Sequence, residues 1–260
     1  MFRALHSAAT GMQAQQTNID VIANNMANVN TTGFKKSRAE FQDLMYQTVR
    51  TPGAQTGTGA SSPSGLQIGL GVRTANTQFM HSQGSLQQTG NSLDLAIEGN
   101  GFFQVQRPNG EMAYTRAGNL KTDSDGRLVT SDGLAIEPAI TIPQDVTAIT
   151  VSSTGLVSVT QPGQANATEV GQMHVANFTN PGGLLATGRN LYQPTAASGQ
   201  AMLQIPGEEG TGTVSQGFLE GSNVEVVNEM IDLIASQRAY EVNQKVITAA
   251  DEMLSRVTQR

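Results

Sequence analysis

From Phe2 to Val29 the chain reads FRALHSAATGMQAQQTNIDVIANNMANV. Leu5, Ala8, Met12, Ile19, Ile22, Met26 and Val29 recur there in alternating steps of three and four, with Gln15 as the polar interruption. Such steps keep side chains on one side of a helix, so the segment predicts an amphipathic helix with a coiled-coil-like seam. Asn28, Asn30, Thr31 and Thr32 are poor helix formers, and Gly33 after them is the expected cap.

The far end mirrors this pattern. Ser222-Asn223-Val224-Glu225 fits a capping box, with Ser222 at the N-cap and Glu225 three residues on. Val226, Leu233, Tyr240, Ile247 and Leu254 then recur every seven residues, and Met230, Ala250 and Val257 widen the stripe. Glu225 and Glu229 near the start and Arg256 near the end suit the helix dipole. At 1.5 Å per residue the two helices are about 40 and 50 Å long, similar enough to lie side by side. The periodicity is equally compatible with two helices packed on the body of the protein as part of its own core.

Charge separates these readings. Residues 4–34 carry one formal charge, Asp20, where a solvated helix displays Lys, Glu and Arg on its outer face. Gln13, Gln16, Thr17, Asn18, Asn24 and Asn25 take that place. An uncharged polar face opposite an apolar stripe suits a helix surrounded by other protein, because interface cores are depleted in charge. The helices are therefore expected to drive self-assembly, through Leu5, Met12, Ile19, Ile22, Met26 and Val29 at one end and Val226, Met230, Leu233, Tyr240, Ile247 and Leu254 at the other.

Between the helices the pattern changes. Residues 51–65 are almost all turn and linker types. Residues 51–93 carry one formal charge, Arg73, so the stretch reads as an interface, with a freely disordered linker as the alternative. Pro52, Gly53, Ser64, Gly65, Leu66 and Ile68 are its expected contact residues. From about Gly69 to Gln216 apolar residues alternate, as in Leu93, Leu95 and Ile97, Phe103 and Val105, or Val157 and Val159. Asn109-Gly110, Asp125-Gly126, Asp132-Gly133 and Pro162-Gly163 punctuate them as tight turns. The expected fold is α+β: N- and C-terminal helices pairing as an antiparallel coiled coil, with a central, mainly antiparallel β domain. The expected layout is 1–45 helix and turn, 46–76 extended interface stretch, 77–216 β domain and 217–260 helix.

Charged residues make up 14% of the chain, against roughly 25% in ordinary globular proteins. The net charge of −6 argues against a nucleic-acid binder. Without cysteine there is no disulfide, thiolate metal site or cysteine nucleophile. No apolar run approaches the roughly 18 residues of a membrane span, and the N-terminus has no apolar signal region. His6, His81 and His174 are scattered without metal-ligand spacing. His81-Ser82 with Asp94 forms a triad only on paper, since no nucleophile motif accompanies it. Asp123, Asp125 and Asp132 lack the closing Glu of a calcium loop. No catalytic residue, cofactor, metal or small-molecule substrate is expected, although a ligand-binding β domain is not excluded.

Four stretches together resemble one family. Thr17 to Lys35 (TNIDVIANNMANVNTTGFK) and Gln237 to Val246 (QRAYEVNQKV) are similar to the N- and C-terminal signatures of flagellar rod and hook proteins. Asp94 to Phe103 (DLAIEGNGFF) and Tyr114 to Gly118 (YTRAG) resemble the start of that family's β domain. The resemblance covers essentially the whole chain. It implies a structural subunit exported unfolded by the flagellar type III export apparatus through an uncleaved N-terminal signal. It also implies a hollow tubular homopolymer, helices inside and β domains outside, that transmits torque as a drive shaft. The implied partners are further copies of the chain, proximal rod proteins, the hook protein and bushing rings in the peptidoglycan and outer membrane. Residues 46–73 resemble the stretch found in the distal part of the rod; the proximal rod is the alternative.

Overall fold

The computed structural model describes residues 2–53, 63–163, 167–208 and 210–258. Helix α1 (Phe2–Ala27) and helix α2 (Val226–Thr258) flank a long run of short strands, every registered pair of which is antiparallel. The fold is α+β. The chain divides into two compact units. Unit 1 comprises Met1–Ala27, Ser37–Gln78 and Glu225–Arg260, and unit 2 comprises Asn28–Lys36 and Phe79–Val224.

In unit 1 the helices end differently from the expectation. α1 stops at Ala27 and two turns follow, closed by Thr31 N–H on the Asn28 carbonyl (3.1 Å) and Phe34 N–H on the Thr31 carbonyl (3.2 Å). Gly33, with φ +69°, therefore serves the second turn and does not cap the helix. α2 starts at Val226, and the Glu225 carbonyl accepts the Glu229 N–H (3.0 Å), which makes Glu225 the N-cap. The Ser222 hydroxyl instead accepts the Val224 N–H (3.3 Å) in the segment before the helix.

β structure begins at Ser37, well before the alternating region. Strands β1 (Ser37–Asp43) and β4 (Val72–Phe79) pair, as do β2 (Tyr46–Arg50) and β3 (Leu66–Gly69), with Tyr46 opposite Gly69 and Gln47 opposite Ile68. The Leu44 N–H on the Gly71 carbonyl (2.8 Å) bridges the gap, so unit 1 contains a two-stranded ribbon. A ribbon this narrow has no need for a buried face, which is why its sequence lacks apolar alternation. Residues 54–62 of the expected interface stretch lie outside the described residues.

Unit 2 holds the main core. Its axis is the hairpin of β7 (Phe102–Gln106) and β8 (Met112–Thr115), which follows β5 (Leu86–Gln88) and β6 (Leu95–Glu98). The far side of β7 pairs along half its length with Ala135–Glu137 and along the rest with Val175–Asn177. A three-stranded meander of Ala148–Val151, Leu156–Thr160 and Thr168–Gln172 packs into the same core. Leu95, Ile97, Phe103, Val105, Ile136, Val157, Val159 and Val175 are almost wholly buried there. β6 pairs with Thr213–Gln216, and β5 with Phe218–Glu220.

Candidate functional site

Two features of the molecule call for a functional explanation: the bare apolar surface of unit 1 and an ionic cluster buried in unit 2.

Every predicted stripe residue of α1 with a described side chain is buried or half-buried, Ile22 at 4% exposure. On α2 the stripe splits. Leu233, Ile247 and Leu254 are half-buried, but Val226, Met230 and Tyr240 are exposed. The deeply covered residues of α2 are Ala250, which the predicted stripe includes, and Glu229 and Ser236, which it does not. The reason is polar. The Asn18 Nδ2 donates to the Ser236 Oγ (2.8 Å), and the Asn25 Nδ2 donates to the Glu229 carboxylate (3.1 Å). Gly11 leaves room for Asn243, whose amide nitrogen lies 3.0 Å from where a Cβ on Gly11 would stand. As the numbers rise by seven along α1, those of its partners fall by seven along α2. Asn25 also clasps the ribbon: its amide donates to the Ser37 carbonyl (2.9 Å) and its oxygen accepts the Ser37 N–H (3.0 Å).

Much of the apolar surface of α2 is open. Val227, Ile231, Ile234, Val242, Val246 and Met253 are all exposed, Val227 at 70% and Ile231 at 58%. At about 100° per residue Val227, Ile231 and Ile234 lie roughly opposite Glu229 and Ser236, whereas Val246 and Met253 flank Ala250. On the ribbon, Met45, Tyr46, Val49, Leu66 and Ile68 are exposed as well. Pro52, Gly53 and Ser64 are exposed and Gly65 is half-buried, at the open end of the ribbon. Among the described residues, fifteen of the nineteen large exposed apolar side chains fall in unit 1. The apolar residues that unit 1 fully buries are Ala8, Ala14, Ile22, Ala39 and Ala250. Many large apolar side chains of unit 1 are therefore left uncovered, chiefly on α2 and the ribbon.

Unit 2 contains the ionic cluster. Lys35 and Glu220 are wholly buried and meet at 2.5 Å, while Arg116, 2% exposed, lies 3.3 Å from the other oxygen of Glu220. Lys35 also donates to the Ser82 carbonyl (2.7 Å), and Arg116 donates to the carbonyls of Ile97 (3.2 Å) and Gly99 (2.5 Å). The Gly84 N–H donates to Glu220 Oε1 (2.9 Å). Burial lowers the Lys35 pKa, with the Glu220 charge opposing it. His81 packs edge-on against Phe102 and Tyr192, and neither ring nitrogen has a hydrogen-bond partner. Burial and then the Lys35 and Arg116 charges lower its pKa to about 4; the Pro181 carbonyl opposes this without reaching hydrogen-bond geometry. Burial raises the Tyr192 hydroxyl to about 12. The sequence offered no local sign of this cluster, because Lys35 and Glu220 are 185 positions apart.

The residues weighed for chemistry do not converge. The Asp94 carboxylate accepts from Thr89 (2.6 Å) and Asn91 (3.2 Å), so it orients a turn and not His81. Asp123 and Asp125 pair with Arg127. Among the described residues no group of three His, Cys, Asp or Glu side chains could hold a metal ion, and no helix is long and apolar enough to cross a membrane.

Comparison with known proteins places these features. A family model described as flagella basal body rod protein matches residues 5–35. The flagellar hook protein FlgE/F/G D1 domain matches 96–159, and the flagellar basal body rod FlgEFG protein C-terminal model matches 215–260. Lys35, Arg116 and Glu220 fall one in each. The flagellar basal-body rod protein FlgG of Caulobacter vibrioides is 51% identical over 99% of this chain and 98% of its own length. The FlgG of Agrobacterium fabrum is 51% identical over 98% of both chains, and that of Bacillus subtilis is 41% identical over 98% of this chain and 97% of its own.

Proposed function

The chain belongs to the flagellar basal-body rod protein family, and from that premise we propose that it is the structural subunit of the distal rod. In this reading it self-assembles into the hollow shaft that carries torque from motor to hook. The observation that carries the reading is the bare apolar surface of unit 1, which holds fifteen of the nineteen large exposed apolar side chains among the described residues. Burying a large aliphatic or aromatic side chain contributes about 1.5–3 kcal/mol, so a surface of this kind gains by being covered. A homopolymer supplies the cover from its own copies.

The finer features follow from the same reading. α1 and α2 form an antiparallel coiled coil in the inner layer, with the residue steps of seven on both helices as support. The ribbon and the uncharged stretch beyond it wedge between neighbouring copies and stiffen the shaft. The subunit reaches the periplasm through the flagellar export apparatus. It meets proximal rod proteins below and the hook protein above, within rings in the peptidoglycan and outer membrane. A structural role of this kind requires no catalytic centre.

The test is electron microscopy of basal bodies from cells lacking the protein, beside cells carrying a small tag in the exposed Asn109-Gly110 turn. A Cβ at Gly110 would meet nothing within 4 Å, so there is open space beside the turn for a tag. A proximal rod that stops short of the outer membrane, with the tag on the outer stretch of shaft, supports the distal assignment. Loss of the inner shaft assigns the chain to the proximal rod instead, and intact basal bodies remove it from the shaft altogether.

A further inference from the structure

One carboxylate in unit 2 serves two buried cations and also ties two distant parts of the chain. Glu220 Oε1 accepts from the Lys35 ammonium and the Gly84 N–H, and Oε2 accepts from Arg116. The Glu220 backbone carbonyl accepts the Gly33 N–H (2.8 Å). Three residues on, Asn223 repeats the pattern. Its Oδ1 accepts the Lys36 N–H (2.7 Å), while its amide donates to the Met80 carbonyl (2.8 Å) and the Ser82 carbonyl (3.2 Å). The Gly221 N–H donates to the Ser85 carbonyl (2.8 Å). Gly33–Lys36, Met80–Ser85 and Glu220–Asn223 are therefore joined side by side. The first of these segments lies just beyond α1 in sequence and the last just before α2.

The charges make this joint conditional. If the 220–223 segment is absent, the Lys35 ammonium keeps the Ser82 carbonyl, and Arg116 keeps the carbonyls of Ile97 and Gly99 and the face of the Phe102 ring, none of them an anion. Two cations would then sit in a buried site with no anion, a state that is strongly unfavourable. Position 33 admits only glycine, since a Cβ there would stand 2.6 Å from the Ala117 nitrogen and its φ is +69°. The N-terminal segment consequently has no stable seat until Glu220 is in place.

We propose that Lys35, Arg116 and Glu220 form a charge-gated latch, which seats Gly33–Lys36 and Glu220–Asn223 on the β domain together or not at all. The proposal does not depend on the rod assignment. Its function is order: the two segments that lead to the helices become fixed in a single event, after the β core has formed.

Native-state hydrogen exchange on the full chain tests it. The amides of Gly33, Lys36, Gly84 and Gly221 should exchange through one common opening, with the same dependence on low urea, while Val105 and Ala113 in the core open separately and far less often. Glu220→Gln should raise exchange at all four amides together by ~10²–10³-fold. Adding Lys35→Met to Glu220→Gln removes one unpaired cation and should recover at least about tenfold of that loss. A role in packing alone predicts no recovery. Four amides with different openings in the unaltered protein, or an unchanged pattern in Glu220→Gln, would overturn the latch. The first readout needs no substitution, so a variant that fails to fold leaves the test intact.

Discussion

His81 carries an imidazole where a phenyl ring would serve as well. Its ring meets Phe102 and Tyr192 edge-on at centroid distances of 5.5 Å, and both nitrogens lack hydrogen-bond partners. Protonation there places a cation beside Lys35 and Arg116, which is why its pKa falls from 6.5 to about 4. The sign is fixed by which state binds the proton. Between pH 6.5 and 4 the unfolded chain is protonated and the folded one is not, so stability falls as pH falls through that window and levels off below it. The loss amounts to about 3 kcal/mol. His81→Phe should abolish this component and leave stability at pH 7 within about 1.5 kcal/mol. Urea midpoints at pH 7 and 4, followed by circular dichroism, check it. A wild-type protein and a His81→Phe variant with equal acid sensitivity would show that the imidazole is not buried in its neutral form. None of this was legible in the sequence, where His81 stands among uncharged polar residues. The cations that lower its pKa come from positions 35 and 116. A charged residue in a sequence reads as solvent-facing by default, and only the fold shows that these two are buried.

At the level of elements, α2 has two working faces, and periodicity identified one of them imperfectly. A heptad search rewards apolar residues, so it selected Val226 and Tyr240 and passed over Glu229 and Ser236, which hydrogen bonds to Asn25 and Asn18 draw into the seam. α1 was read more accurately because apolar residues dominate its covered face. The strands of unit 2 were legible for the same reason, as their alternation and their Asn-Gly and Asp-Gly turns report a half-buried sheet. The ribbon was not, because a strand exposed on both faces leaves no pattern. The outward face of α2 yields a direct prediction. Ile234 is 47% exposed, so Ile234→Asp removes little from the isolated subunit and should change its stability by only about 0.5 kcal/mol. In a polymer it buries a carboxylate among apolar side chains and should prevent assembly. Analytical ultracentrifugation and electron microscopy of the purified variant decide the matter. A normal polymer would mean that this face of α2 looks onto solvent or the lumen, and the contacts between copies would have to be sought on the ribbon.

For the molecule as a whole, the two units differ in what holds them together. Unit 2 buries Phe103, Ile97, Val105, Val157 and Val175 almost completely, and each contributes about 1.5–3 kcal/mol. Unit 1 fully buries four alanines and one isoleucine, and an alanine methyl contributes only about 0.8 kcal/mol. Unit 2 thus has a buried core of its own, whereas unit 1 carries most of the large exposed apolar side chains and gains the most from surface supplied from outside. Hydrogen exchange on the isolated subunit and on the polymer should therefore diverge by unit. Core amides of unit 2, such as Val105, Ala113 and Val175, should be equally protected in both. Amides of α1, α2 and the ribbon strands should exchange rapidly in the subunit and slow by ~10³-fold or more on assembly. The β2–β3 part of the ribbon serves as the sharper probe, because its two strands are exposed almost throughout and have no other source of protection. If α1 and α2 are already as protected in the subunit as the core of unit 2, the helix pair is self-sufficient, and its outward apolar face must be explained by something other than a need for partners. If protection rises in the helices but not in the ribbon, assembly proceeds through the helices alone and the ribbon does not stiffen the shaft.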